Sequence, residues 1–383
     1  MNTPRLVRKI TLFILLLSFS SVYAAIIPVP SPPKLSAKSY ILIDFNSGRV
    51  LADKNPDKKI EPASITKMMT VYIIYKELES GRLSMDEEVI ISKKAWRMRG
   101  SKMFIEVGKK VTVADLLKGI VIQSGNDATV AMAEHIAGSE STFADYMNQY
   151  AKTLGMNDTN FLNSTGWPDK GHLTTAKDIA ILAKALISEF PQRYSLYSEK
   201  EYTYNGIKQY NRNKLLWRDN GVDGIKTGHT ESAGYCLVSS ALRNDMRLIA
   251  VVLGTRSEKA RINVSQSLMS YGFRFYESNK LYTAGENLTT VRIWKGEREQ
   301  LALGLMQDLH VTIPRGHYKK LDAVMQVNED IEAPVKKGQQ LGVVRLILDG
   351  EEILSRPLIA LYGVDEGSLL QKLKDYIIRL FRQ

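Results

Sequence analysis

Cysteine is almost absent: Cys236 is the only one in 383 residues. A lone thiol excludes an internal disulfide framework and any site built from several thiolates. The five histidines, His135, His172, His229, His310 and His317, show no paired-ligand spacing, so neither a metal nor another cofactor is expected. There are no internal repeats, and the only compositionally biased stretch is a short proline-rich one. A charged fraction of 24% with an apolar share of 44% excludes wholesale disorder and a multi-span membrane protein. What the chain has in excess is positive charge. It carries 52 Lys plus Arg against 41 Asp plus Glu, a formal +11. Such an excess suggests an anionic partner, whether nucleic acid, an acidic polymer or a membrane surface, and composition does not choose among them.

The two ends narrow that choice. Arg5, Arg8 and Lys9 precede an apolar run from Ile10 to Phe19, which leads to Val22-Tyr23-Ala24-Ala25. This is the layout of a secretory signal peptide over 1–24, cleaved after Ala24. Its apolar core falls short of the roughly 20 residues that span a bilayer. Three of the excess charges lie in that segment, and an exported chain is not expected to bind nucleic acid. At the other end, Leu369, Leu370, Leu373, Tyr376, Ile377, Ile378, Leu380 and Phe381 recur at helical spacing opposite Lys372, Lys374, Asp375, Arg379 and Arg382. Two readings fit this amphipathic helix: it lies on a bilayer, or it docks on its own domain. Its terminal position favours the membrane, and its basic residues suit an anionic lipid surface.

Between the ends, prolines 28, 30, 32 and 33 mark a linker over 25–36. Ser39–Asp44 and Arg49–Ala52 read as a hairpin, and Ile65–Leu78 as a helix buried nearly all round. Residues 112–190 read as mainly helical. Gly234–Leu242 and Met246–Leu253 form a second hairpin, with Cys236 a small buried hydrophobe, and a helix over Ser257–Tyr271 follows. Helices between early and late strands imply an α+β domain over 37–277 with an all-helical insertion. From about Lys280 short β-rich runs imply a small all-β domain over 278–363. The amphipathic helix occupies 364–383.

Three short motifs carry chemistry. Ser64-Ile65-Thr66-Lys67 opens the buried helix, and a spacing of three places both side chains on one face. Serine needs an adjacent base, and a lysine serves only if its pKa is lowered by burial or a neighbouring cation. Ser124-Gly125-Asn126 falls between two helices and offers a hydroxyl relay and a carboxamide. Lys226-Thr227-Gly228, followed by His229, precedes the strand hairpin and offers a fixed positive charge, a hydroxyl and close backbone approach. Each alone is weak: a helix cap beside a surface lysine, a helix–helix turn, and a turn before a strand would look the same. In this order and on these elements they are specific.

The trio resembles that of low-molecular-mass penicillin-binding proteins that are serine-type D-alanyl-D-alanine carboxypeptidases. The resemblance extends to Glu61–Thr70, Gly100–Phe104, Gln123–Ala128 and Asp223–Thr230, and covers essentially the whole chain. It implies an antiparallel sheet flanked by helices, followed by the β domain and tail. It implies that Ser64 attacks the penultimate D-Ala carbonyl of a peptidoglycan stem pentapeptide while Lys67 takes its proton. Ser124 would pass a proton to the leaving D-Ala, with Lys226 holding the local charge and Asn126 orienting the substrate amide. Backbone N–H groups of Ser64 and His229 would form the oxyanion hole. Lys226 and Thr227, with Arg212 or Arg261, would bind the terminal carboxylate beside Gly228. Penicillins would acylate Ser64 by the same route. The location implied is the outer, periplasmic face of the bacterial cytoplasmic membrane.

Rival readings use the same motifs. A D,D-endopeptidase or transpeptidase shares them. So does a β-lactamase, although the stretch 160–177 contains no Glu to drive deacylation. A non-catalytic cell-wall binder would have no use for a Ser–Lys pair.

Overall fold

A computed structural model of the chain describes residues 29–381. The signal segment at 1–24 and the first residues of the linker lie outside the described residues. The strand Ser39–Asp44 is buried along its whole length, as an aliphatic run covered on both faces must be. It pairs antiparallel with Val50–Lys54 on one side and Met246–Thr255 on the other. Gly234–Arg243 and then Val222–Thr230 complete a five-stranded antiparallel sheet, with Val222–Thr230 at its edge. Early and late strands therefore close one sheet, and the segment between them forms the insertion; it is mainly but not all helical, since Glu88–Ile90 pairs with Lys110–Thr112 and Glu201–Tyr204 with Ile207–Tyr210.

The alternation of side chains sorts the core. Ile41, Ile43, Ile249 and Val251 face the helical region, and Tyr40, Leu42, Leu248, Ala250 and Val252 face the opposite layer. That opposite layer is the helix Glu258–Phe275, whose N-cap Ser257 accepts the Ala260 N–H. On the helical side, Ala176–Glu189 lies against the sheet, and Lys67–Glu79 is enclosed by Asn126–Ala137, Glu140–Leu154 and Ala176–Glu189. Every residue from Lys67 to Tyr75 is buried. Each large aliphatic side chain so enclosed contributes about 1.5–3 kcal/mol. This helix is the fixed post on which the site is built.

Two local expectations are corrected. Ser64 does not sit in the α-helix: Ala63–Thr66 is a 3₁₀ turn, and the α-helix starts at Lys67. Lys226-Thr227-Gly228 precedes the hairpin but is not a turn before it: it lies inside the sheet's edge strand, where Gly224 and Gly228 had hidden the β pattern.

From Tyr276 the chain is β-rich. Tyr276–Tyr282 pairs with Leu309–Pro314. A five-stranded antiparallel sheet runs in the order Thr289–Arg292, Gln300–Gly304, Glu351–Ala360, Gln340–Leu348, Leu321–Val327. It has its own core, including Leu303, Leu346 and Leu358. Polar contacts join the two parts: Ser47 Oγ lies 2.6 Å from Thr312 Oγ1, and Arg49 donates to the Thr312 carbonyl at 2.6 Å.

The tail helix Leu369–Leu380 is docked, but with its polar side inward. Asp375 is 3% exposed and accepts from Arg292 at 2.9 Å and from the Lys295 N–H at 2.6 Å. Lys374 pairs with Glu299 at 2.7 Å, Lys372 with Glu366 at 2.5 Å, and Arg379 with Asp330 at 2.9 Å and with Glu332. Leu369, Leu370, Leu373, Tyr376, Ile377, Leu380 and Phe381 face outward, from 46% to 87% exposed. The sequence suggested basic residues turned to lipid; three of them are instead engaged by carboxylates of the chain itself. Among the described residues no helix is long and apolar enough to cross a membrane.

Candidate active site

The 3₁₀ turn brings Ser64, half-buried, onto the end of the Lys67–Glu79 helix, with Ala63 before it at φ 49°. Lys67 is fully buried beneath it. The Lys67 ammonium donates to Ser64 Oγ at 2.9 Å, Asn126 Oδ1 at 2.7 Å and the Thr165 carbonyl at 2.7 Å. Three donors meet three acceptors. Burial lowers the Lys67 pKa to about 7, against the opposing pull of Asp127 and Glu140. The amide of Asn126 has a fixed orientation because its Nδ2 donates to the Arg99 carbonyl at 2.7 Å.

Ser124 is presented differently. Gly119–Gln123 is a π-helical turn, a feature frequent at functional sites, and Ser124 caps it at φ 65°. Left-handed backbone at Ala63 and at Ser124 costs roughly 1–2 kcal/mol each and is held there by the surrounding core. Asn126 begins the next helix rather than lying in a turn between helices. Beside it, buried Asp127 accepts N–H bonds from Met103, Phe104 and Ile105 at 3.0–3.4 Å. That carboxylate ties the segment through Gly100–Phe104 to the helix.

The third wall is the edge strand. Lys226, 3% exposed, donates to Ser124 Oγ at 2.7 Å and to the Thr227 carbonyl at 3.2 Å. Burial, then the positive charges of Lys67, Arg212 and Arg261, hold its pKa well below the ordinary lysine value. Gly228 is required by close approach: a Cβ there would stand 3.0 Å from the Pro62 carbonyl oxygen. Arg261 is buried behind the strand and donates to the Gly228 and Cys236 carbonyls at 3.2 and 3.5 Å. It thus braces the strand as well as supplying charge. Cys236 is fully buried, and burial raises its thiol to about 11.

Ser64, Ser124, Asn126, Arg212, Thr227, Gly228, His229 and Arg261 all line one open cleft of about 1000 Å³. Lys67 and Lys226 are buried beneath it, bonded to Ser64 and Ser124. Sequence reasoning missed the fourth wall, residues 163–168. Asn163 Oδ1 accepts the N–H groups of Thr165, Gly166 and Trp167 at 2.8–3.2 Å, and this turn aims the Thr165 carbonyl at Lys67. Gly166 has φ +81°, and a Cβ there would fall 1.7 Å from the Ala63 carbonyl oxygen. The turn-forming Asn-x-x-Gly pattern was the available clue. His172 was also missed. It is 2% exposed; Nδ1 accepts the Leu162 N–H at 3.2 Å, so Nε2 carries the proton and donates to Thr66 Oγ1 at 2.9 Å. Burial, aided by the charge of Lys67 and opposed by Asp169, lowers its pKa to about 4.

The arrangement is suited to acyl transfer: a hydroxyl on a buried amine of lowered pKa, a second hydroxyl on a second amine, and a free strand edge. Among the described residues no group of His, Cys, Asp and Glu is arranged to hold a metal.

Comparison with known proteins agrees with that chemistry. Residues 28–257 match the D-alanyl-D-alanine carboxypeptidase family, and residues 276–366 match the C-terminal domain of penicillin-binding protein 5. D-alanyl-D-alanine carboxypeptidase DacC of Escherichia coli is 44% identical over 359 residues, 92% of this chain and 90% of the relative. The crystal structure of penicillin-binding protein 5 from Haemophilus influenzae superposes with a TM-score of 0.86 at 41% identity, covering 88% of this chain and all of that one. Penicillin-binding protein D2 from Listeria monocytogenes, solved in its ampicillin-bound form, is 31% identical with a TM-score of 0.59, over 63% of this chain and all of that one. With a family model spanning the sheet and its insertion and relatives matching nearly end to end, the chain belongs to the D-alanyl-D-alanine carboxypeptidase family and is a peptidase with the penicillin-binding protein 5 fold.

Proposed function

We propose that this chain removes the terminal D-Ala from peptidoglycan stem pentapeptides through an acyl-enzyme on Ser64. The observation that carries the reading is the setting of the Lys67 amine. A neutral amine has two N–H donors and one lone pair. Asn126 Oδ1 and the Thr165 carbonyl, both acceptors, hold the two N–H groups. The lone pair is then left facing Ser64 Oγ.

The steps follow. Ser64 Oγ attacks the carbonyl carbon of the penultimate D-Ala and its proton passes to Lys67. The oxyanion is met by the backbone N–H groups of Ser64 and His229. Ser124 gives its proton to the departing amine as the C–N bond breaks, and recovers one from the lysine pair. The substrate carboxylate is met by Thr227 and Arg212 over the positive field of Lys226 and Arg261. Water then attacks the ester, and Ser64 regains its proton. A β-lactam enters the same cleft and acylates Ser64 by the same attack. Incubation with a stem pentapeptide tests this: free D-Ala should appear with the wild type and not with Ser64→Ala. No release from the wild type, or equal release from both, refutes it.

A second reading concerns location. The outward apolar face of Leu369–Phe381 favours peripheral attachment to the outer face of the cytoplasmic membrane, by hydrophobic insertion more than by charge, since Lys372, Lys374 and Arg379 are already paired. Deleting 368–383 should move the protein to the soluble fraction. Unchanged fractionation would refute the attachment.

A further inference from the structure

Charge changes sign from the middle of the edge strand to its end. In the middle stands Lys226, with Arg261 behind Gly228 and Arg212 across the cleft. Just past the end at Thr230 stands Glu231, exposed and on the rim of the same cleft. The other carboxylates nearby are engaged: Glu61 accepts from Ser232, and Glu258 pairs with Arg261 at 3.5 Å. Among the described residues Glu231 has no ion pair.

Its position is set by where the strand ends. Residues two apart share a face of a strand, which gives Thr227 and His229 one direction; the strand stops at Thr230, and Glu231 opens the turn that follows it. The His229 ring lies on that side, 3.9 Å from the Tyr235 ring. Gly228 faces the other way, toward Pro62 and Ala63. At about 3.3 Å per residue, the strand carries Thr230 roughly 10 Å from Thr227, and Glu231 is the next residue. An extended peptide whose carboxylate is held near Thr227, and whose reacting carbonyl is held at His229, reaches toward Glu231 with its next residue. Two residues cover about 7 Å, and a four-carbon amine side chain covers most of the remainder.

We propose that Glu231 is a specificity residue that recognises a primary ammonium on the side chain of the residue preceding D-Ala-D-Ala. This rests on the carboxypeptidase reading above. The cleft is then bipolar, matching a substrate with an anionic terminus and a cationic side chain two residues upstream.

The test compares two substrates, Nα-acetyl-L-Lys-D-Ala-D-Ala with its amine free and the Nα,Nε-diacetyl form, by D-Ala release from the full chain. The wild type should prefer the free amine about three- to five-fold in kcat/KM, the size expected of an exposed ion pair. Glu231→Gln should remove that preference by lowering only the free-amine value, and Glu231→Lys should reverse it. Raising the salt should shrink the wild-type preference. Equal preference in wild type and Glu231→Gln, with D-Ala released from both substrates, overturns the assignment of Glu231 alone. Release from neither substrate by the wild type overturns the carboxypeptidase reading, and this assignment with it.

Discussion

Lys226 Nζ lies 2.7 Å from Ser124 Oγ, although 102 residues separate them in the chain. The contact joins the helical insertion to the edge of the sheet and sets a second hydroxyl–amine pair beside Ser64 and Lys67. Ser124→Ala deletes one partner and leaves the Lys226 amine with the Thr227 carbonyl alone. Steady-state D-Ala release should fall by about 10²–10⁴-fold, the usual worth of a positioned proton donor. Labelled penicillin should show slower acylation of Ser64 in the same variant. A rate within two-fold of wild type would remove Ser124 from the proton path.

The buried Lys67 predicts a pH profile. With its pKa lowered to about 7, the amine is largely protonated at pH 6 and largely neutral at pH 8. Only the neutral form accepts the Ser64 proton, so the acylation rate should rise through pH 7 and then level. Lys67→Arg stays charged throughout this range and should abolish acylation at every pH. Stopped-flow measurement with a chromogenic β-lactam reads both. A flat profile between pH 6 and 8 would contradict the assignment of Lys67 as base.

His172 predicts a stability profile instead. Its folded pKa of about 4 lies below the 6.5 of a free imidazole. Between these values the unfolded chain binds the proton and the folded chain does not. Stability is therefore intact above pH 6.5 and is lost as the pH falls toward 4, by about 3 kcal/mol for a shift of this size. Denaturant melts at pH 7 and pH 4.5 should show the loss. In His172→Gln the part due to this group should vanish, and the catalytic turn should be weakened at pH 7 through loss of the Thr66 contact.

The tail helix predicts a separable behaviour. Asp375 is the buried anchor between Arg292 and the Lys295 N–H. Asp375→Ala should release the helix, at a cost of about 1–3 kcal/mol in docking, without changing D-Ala release. Trypsin should then cut at Lys372, Lys374 or Arg379, which are paired in the wild type. Resistance equal to wild type would show that the polar side does not hold the helix.

These results also indicate what a sequence can carry. The Ser64–Lys67 spacing, the helical insertion and the β-rich second part are written in local periodicity and composition, and were legible. The Thr165 carbonyl was not, because a backbone oxygen leaves no residue-type signature; only the Asn163 turn that aims it does. His172 was invisible for a related reason, since its partners Thr66 and Leu162 are chosen by tertiary packing. The edge strand went unseen because two glycines interrupt its pattern. For the tail, amphipathicity gave two faces and could not say which one the domain would take, because carboxylates as distant as Glu299 and Glu332 decide it.

The pairing of Ser39–Asp44 with Met246–Thr255 has a consequence for timing. A chain emerges N-terminus first, so the segments bearing Ser64 and Ser124 exist well before the central strand of their own sheet. Until that strand arrives the Val222–Thr230 edge has no platform, and the two lysines cannot come together beneath one cleft. Such distant pairings form late. A growing chain therefore carries its nucleophile in an inert form, and reactivity is acquired only when nearly the whole of the first domain is present.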